Sequence, residues 1–194
     1  LPDNGTLGGE ISGAVSRDGR FLPYVDWAQY GNLFVHDFSS GRDRQLTTTA
    51  TDRLPNAKVE QFALDSSFSR DGHLLAYSWF RGDTNRFELR VIDLRGDGVP
   101  QSRLLFDRPE IDWTGPVDWS PDRKWIAVRI QRADKSAQIG LVSVSDGSLR
   151  VLKSVDWRGT TELQFSPDGK FLAYDLPFAD NTEQRDIFVI AVDA

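Results

Sequence analysis

With two histidines and no cysteine, the chain leaves most candidate chemistry to its carboxylates. Glu10, Asp65, Asp118 and Glu162 each stand in or just before a short apolar segment. Four such groups pointing together could hold a metal ion, and a pair of them could act as acid and base on a glycosidic bond. Their offsets from the nearest turn serine differ from one to the next, so solvated lining is the simpler reading. His36 follows an apolar segment and His73 stands in a turn, which gives both a structural or surface role rather than a place in a triad. No Gly-x-Ser-x-Gly, phosphate-cradling glycine loop or His-Glu-x-x-His occurs. Asp93–Gly98 lacks the alternate oxygen ligands and closing Glu of a calcium loop and reads as a hairpin turn. The absence of cysteine removes disulfides, thiolate nucleophiles and cysteine-ligated zinc. The sequence therefore predicts no catalytic residue, no cofactor and no metal ligand.

Aromatic and arginine residues form the other candidate set. Trp27 and Tyr30 lie in Asp26–Tyr30, while Trp79, Phe80 and Arg81 lie in Ser78–Arg81. Trp113 follows Asp112, Trp157 and Arg158 follow Asp156, and Phe178 closes Leu176–Phe178. Trp, Tyr and Arg on loops held by a rigid scaffold have the composition of interaction hot spots. These nine residues are the predicted binding set. The competing use of such side chains is core packing, to which Trp119 and Trp125, inside strand patterns, are assigned.

The elements that must position these residues come from one short pattern that returns four times. Its copies read Ser16-Arg17-Asp18-Gly19-Arg20-Phe21-Leu22, Ser69-Arg70-Asp71-Gly72-His73-Leu74-Leu75, Ser120-Pro121-Asp122-Arg123-Lys124-Trp125-Ile126 and Ser166-Pro167-Asp168-Gly169-Lys170-Phe171-Leu172. The serines are spaced by 53, 51 and 46 residues. Each copy suits a tight turn: Ser bonds the backbone, Pro presets φ, and Gly accepts a left-handed conformation. A short strand precedes each turn, at Gly13–Val15, Ser67–Phe68, Pro116–Trp119 and Leu163–Phe165. A second follows it, at Phe21–Tyr24, Leu74–Tyr77, Trp125–Val128 and Phe171–Tyr174, and a third at Leu33–Val35, Leu89–Ile92, Ile139–Val142 and Ile187–Ile190. Fourth strands follow in three units, at Arg44–Leu46, Ser102–Leu105 and Leu149–Leu152. Four antiparallel strands per unit make the blade of a β-propeller. The expected fold is all-β, a single propeller segment over residues 1–194. Its blades are expected near 8–48, 59–106, 111–153 and 160–194.

The element Ser166-Pro167-Asp168-Gly169-Lys170-Phe171-Leu172-Ala173-Tyr174 resembles the TolB-like repeat, also called PD40 and related to WD40, and the resemblance covers nearly the whole chain. Copies one and two carry Arg17 and Arg70 where that repeat usually has Pro, and copy three carries Arg123 where it has Gly. The resemblance implies part of a larger, bacterial propeller that recognises a protein, peptide or glycan, in a periplasmic or other extracytoplasmic setting. It equally implies a second use, as the substrate-gating propeller of a prolyl-oligopeptidase-like hydrolase whose catalytic domain lies outside this chain. A hydrolase or metal enzyme built on the channel carboxylates is the third.

Composition bounds these readings. An apolar fraction of 39% with 27% charged residues is that of a folded chain. A formal net charge of −6, with Lys and Arg scattered, lacks the basic stripe that nucleic acid requires, and no apolar run is long enough to insert in a membrane. The start at Leu1-Pro2-Asp3 has neither an initiator Met nor a signal-peptide layout and reads as a processed or excised end. The expected partner is a protein or peptide, or another domain of the parent chain.

Overall fold

The computed structural model describes residues 9–49, 61–96, 100–155, 160–177 and 184–193. Among these residues there are fifteen strands and no helix. The first sheet contains β1 (Glu10–Ile11), β2 (Phe21–Asp26), β3 (Asn32–Asp37) and β4 (Arg42–Gln45). The second contains β5 (Gln61–Phe68), β6 (Leu74–Arg81), β7 (Arg86–Asp93) and β8 (Ser102–Phe106). In the third are β9 (Ile111–Trp119), β10 (Trp125–Arg132), β11 (Ala137–Ser143) and β12 (Leu149–Val155). The fourth holds three, β13 (Leu163–Phe165), β14 (Phe171–Pro177) and β15 (Arg185–Ala191). Every sheet is an antiparallel meander in which sequence neighbours are also spatial neighbours. Four such sheets of three or four strands are propeller blades, and among the described residues they do not close into a ring.

Apolar alternation along the second and third strands glues the blades face to face. Val25, Leu33 and Val35 of the first pack with Ala63, Leu75, Tyr77 and Trp79 of the second. Ala76, Leu89 and Val91 on the other face of the second meet Trp119, Ile126, Val128 and Ile130 of the third. Ala127, Ile139 and Leu141 then meet Leu163, Phe165, Leu172 and Tyr174 of the fourth. Each large side chain so buried contributes roughly 1.5–3 kcal/mol. On the far face of the fourth blade Ile187 and Val189 are 80% and 65% exposed. They pair across the sheet with Asp175 and Ala173 as Ile139 and Leu141 pair with Arg129 and Ala127, so they hold the positions that are fully buried one blade earlier.

The first strands join the blades by hydrogen bonds. Ser66 N donates to Ser12 O at 2.7 Å, Ser67 Oγ to Val117 O at 2.9 Å, and the buried Trp119 Nε1 to Ser67 O at 2.9 Å. Close approach explains Gly13, where a Cβ would come within 2.1 Å of Ser66 O.

Three expectations need correction. The first strand of the first blade is Glu10–Ile11, not Gly13–Val15. Pairing runs from Glu10↔Val25 to Ile11↔Tyr24 and next reaches Pro23, which accepts from Ser12 N at 3.3 Å but has no N–H to return. Ser78–Arg81 is not loop, because β6 pairs with β7 without interruption as far as Arg81↔Arg86. Trp113 also lies within a strand, β9.

Candidate functional site

The repeated turn is a hydrogen-bonded unit in which the aspartate does as much as the residues around it. Ser16, Ser69, Ser120 and Ser166 each donate Oγ–H to the carboxylate two residues on, all at 2.6 Å. The same oxygens accept the backbone N–H of Phe21, Leu74, Trp125 and Phe171 at 2.8–3.0 Å. Asp18, Asp71, Asp122 and Asp168 accept a further backbone N–H, from Arg20, His73, Lys124 and Lys170, at 3.1–3.2 Å. Donation from serine is the chief cause holding Asp18, Asp122 and Asp168 below the ordinary carboxylate range. For Asp71 burial pushes the other way and the hydrogen bonds outweigh it. Gly19, Gly72 and Gly169 have φ of 75°, 70° and 74°, and Arg123 takes the same left-handed place at 61°.

These turns fix the ends of the first strands around a cavity of about 850 Å³. The first blade contributes Ala14, Val15 and Arg17, the second Ser67, Phe68, Ser69 and Arg70, and the third Val117 and Asp118. From the fourth come Gln164, Phe165, Ser166, Pro167, Phe171, Ala173 and Val189, the last on the exposed far face of that blade, onto which the cavity opens. Arg70, in the lining, reaches from the second blade to the fourth, donating from Nη2 to Phe165 O at 3.2 Å and to Ser166 O at 3.4 Å. Asp118 braces the third blade against the fourth, accepting Trp119 N at one oxygen and Phe165 N at the other, both at 2.8 Å. Burial pushes its carboxyl up, against those two donors and the charges of Arg70 and Arg17.

No protein-family model matches the chain, and no curated protein matches it by sequence. Solved structures do. TolB from Acinetobacter baumannii superposes with a TM-score of 0.64 over 97% of this chain and 42% of its own, at 16% identity. An oligogalacturonate lyase in complex with manganese matches at 0.65, over 97% of this chain and 51% of its own, at 17% identity. A prolyl endopeptidase matches at 0.61, over 96% and 28%, at 18% identity. The fold is that of a TolB-like β-propeller. The chain spans about half the length of the TolB and lyase structures it matches.

The TolB-like arrangement separates most of the predicted binding residues. Trp79 is 5% exposed in β6, edge-on to Tyr77 at 6.1 Å with the Arg90 guanidinium 5.9 Å away, so it is blade packing. Phe80 stacks on Phe62 at 4.7 Å and meets Phe87 at 5.1 Å. Arg81 is ion-paired with Asp83 and, at 2.9 Å, with Glu88. Trp113 lies under the Arg129 guanidinium at 5.0 Å. Trp27 is 45% exposed, its Nε1 donating to Glu10 at 3.1 Å and its ring 5.3 Å from Phe62. Tyr30 takes a left-handed turn position, φ 60°. Trp27 and Phe80 thus share a cluster through Phe62, whose apolar type in a strand did not single it out. Trp157, Arg158 and Phe178 lie outside the described residues.

The four carboxylates do not converge. Glu10 is bonded to Trp27; Asp65 pairs with Arg129 at 3.4 Å, its carboxyl pushed up by burial; and Asp118 serves as the brace just described. Glu162, exposed, donates its backbone N–H to Asp175 at 2.8 Å. Among the described residues no three His, Cys, Asp or Glu side chains lie together as metal ligands. His36 is buried against Asp43 at 2.8 Å, and no described helix is long and apolar enough to cross a membrane.

Proposed function

We propose that this chain is the recognition part of a propeller protein and binds a protein or peptide partner in the cavity at the mouth of its channel. The observation that carries the reading is the cavity itself. At about 850 Å³ it falls in the range of small-ligand and peptide-segment sites. The spaces beside Trp113 and Trp27 are about 160 and 90 Å³, too small for such a ligand. A groove of about 670 Å³ between the first two blades is lined by charges that already neutralise one another, as Arg20 does Asp37 at 2.8 Å. Similarity to a prolyl endopeptidase supports a second use of the same mouth, as the entrance to a catalytic domain elsewhere in a parent chain. Nothing in the described residues favours chemistry on the channel carboxylates.

A panel of extended peptides and oligosaccharides, titrated against the 194-residue chain, tests the reading. Val15 lines the cavity and is half exposed, so Val15→Trp fills the space without disturbing the core. It should abolish binding, while Trp27→Ala should leave it intact. Binding that survives Val15→Trp and falls with Trp27→Ala would place the partner on the surface around Trp27 instead.

A further inference from the structure

The two departures at the proline position of the repeat, Arg17 and Arg70, fall side by side on the first and second blades at the rim of this cavity. The equivalent positions on the third and fourth blades are Pro121 and Pro167. The cationic lining therefore comes from the first two blades alone. Resting on the reading of the mouth as the recognition site, we propose that Arg17 and Arg70 make it selective for a carboxylate-bearing, otherwise apolar peptide.

Charge and hydrogen-bond inventory support this class of ligand. The lining carries two arginines and one carboxylate, Asp118, in a chain whose formal net charge is −6. Asp118 is committed to two backbone donors. Arg70 is held in place by carbonyls of the fourth blade, which fixes its charge in the lining. Arg17 is exposed and makes no hydrogen bond or ion pair among the described residues, leaving its guanidinium fork available for bidentate contact with a carboxylate. Ser67, Ser69 and Ser166 spend their hydroxyl protons on Val117 O, Asp71 and Asp168. That leaves few polar partners for a neutral sugar. Val15, Phe68, Val117, Phe165 and Phe171 supply apolar wall for the rest of a peptide.

The probe is a short fluorescent peptide of alternating leucine and aspartate with an amidated C-terminus, compared with its leucine–asparagine counterpart, both amidated and with a free carboxyl. Wild type should bind the aspartate peptide about tenfold tighter than the amidated asparagine peptide, a preference that shrinks as salt screens the arginines. Gain of affinity on freeing the asparagine peptide's carboxyl would assign the site to chain termini; its absence, to acidic side chains. Arg17→Gln should remove most of the preference at an unchanged melting temperature, since Arg17 holds no part of the fold. Equal affinity for the aspartate and amidated asparagine peptides, no saturable binding of the aspartate peptide, or a preference that persists in Arg17→Gln would overturn the proposal. If the peptides bind alike and Val15→Trp abolishes both, the mouth remains the recognition site and only the charge selectivity falls. Binding untouched by Val15→Trp removes both readings.

Discussion

Arg123 gives a quantitative test of the turn chemistry, because it occupies with φ 61° the place that glycine holds in the other three copies. A left-handed conformation costs a residue with a Cβ about 1–2 kcal/mol. Glycine relieves that strain and returns about 0.4–1 kcal/mol of it as added unfolded-state entropy. The structure adds a contribution that turn chemistry alone omits: Arg123 forms an ion pair with Asp71 on the neighbouring blade. Both partners face solvent, so losing the pair costs about 0–1 kcal/mol. These contributions largely offset one another, so the change expected for Arg123→Gly lies between about −1 and 1.6 kcal/mol and is centred on about 0.3 kcal/mol of gain. Arg123→Ala separates the contributions, since it loses the same ion pair and keeps the strain. Gly should be more stable than Ala here by about 0.5–1 kcal/mol, a rise of roughly 1–4 °C in melting temperature for a chain of this size. In an Asp71→Asn background the ion pair is already gone, and Arg123→Gly should show its full backbone gain. Urea titrations of the five proteins, wild type, the three single variants and the Asp71→Asn/Arg123→Gly double variant, read these differences directly. An alanine variant as stable as the glycine variant would show that the left-handed strain at this turn does not exceed the unfolded-state entropy that glycine adds, and the reasoning would fail.

Further expectations follow from the same contacts. Ser69→Ala removes a buried hydroxyl that both donates to Asp71 and accepts from Leu74 N, and should lower the unfolding free energy by about 1–3 kcal/mol; no change in the urea midpoint would mean the turn is held by its backbone alone. Because the folded state depresses the turn aspartates, their stabilisation is complete above the ordinary carboxylate value of 3.8 and is lost as pH falls through the lower folded values. Asp71→Asn should flatten that acid limb of a stability–pH profile, and an unchanged slope would remove Asp71 from it. Trp79→Ala should cost about 3–5 kcal/mol as a core truncation. Trp27→Ala, on the surface, should cost far less, and a reversal of that order in thermal unfolding would put the packing assignments in error.

Much of the fold was legible because its information is local. Ser, Asp and Gly within four residues close a turn among themselves, so four copies declared four hairpins, and period-two apolar segments supplied the flanking strands. Sequence also marked Arg17, Arg70 and Arg123 as departures. It could not say that the first two share a rim, because they are 53 residues apart and the wall opposite them comes from residues another 95 positions on. Trp79 shows the complementary difficulty. An aromatic flanked by Ser, Phe and Arg has the composition of an exposed hot spot, yet strand pairing carries on through it and the face of the first blade covers it. Local chemistry thus determined the turns, the strands and the repeat. Burial and adjacency, which depend on how one blade lies against the next, were decided by the tertiary structure, and the cavity, its cationic rim and the packing of the tryptophans belong to that second set.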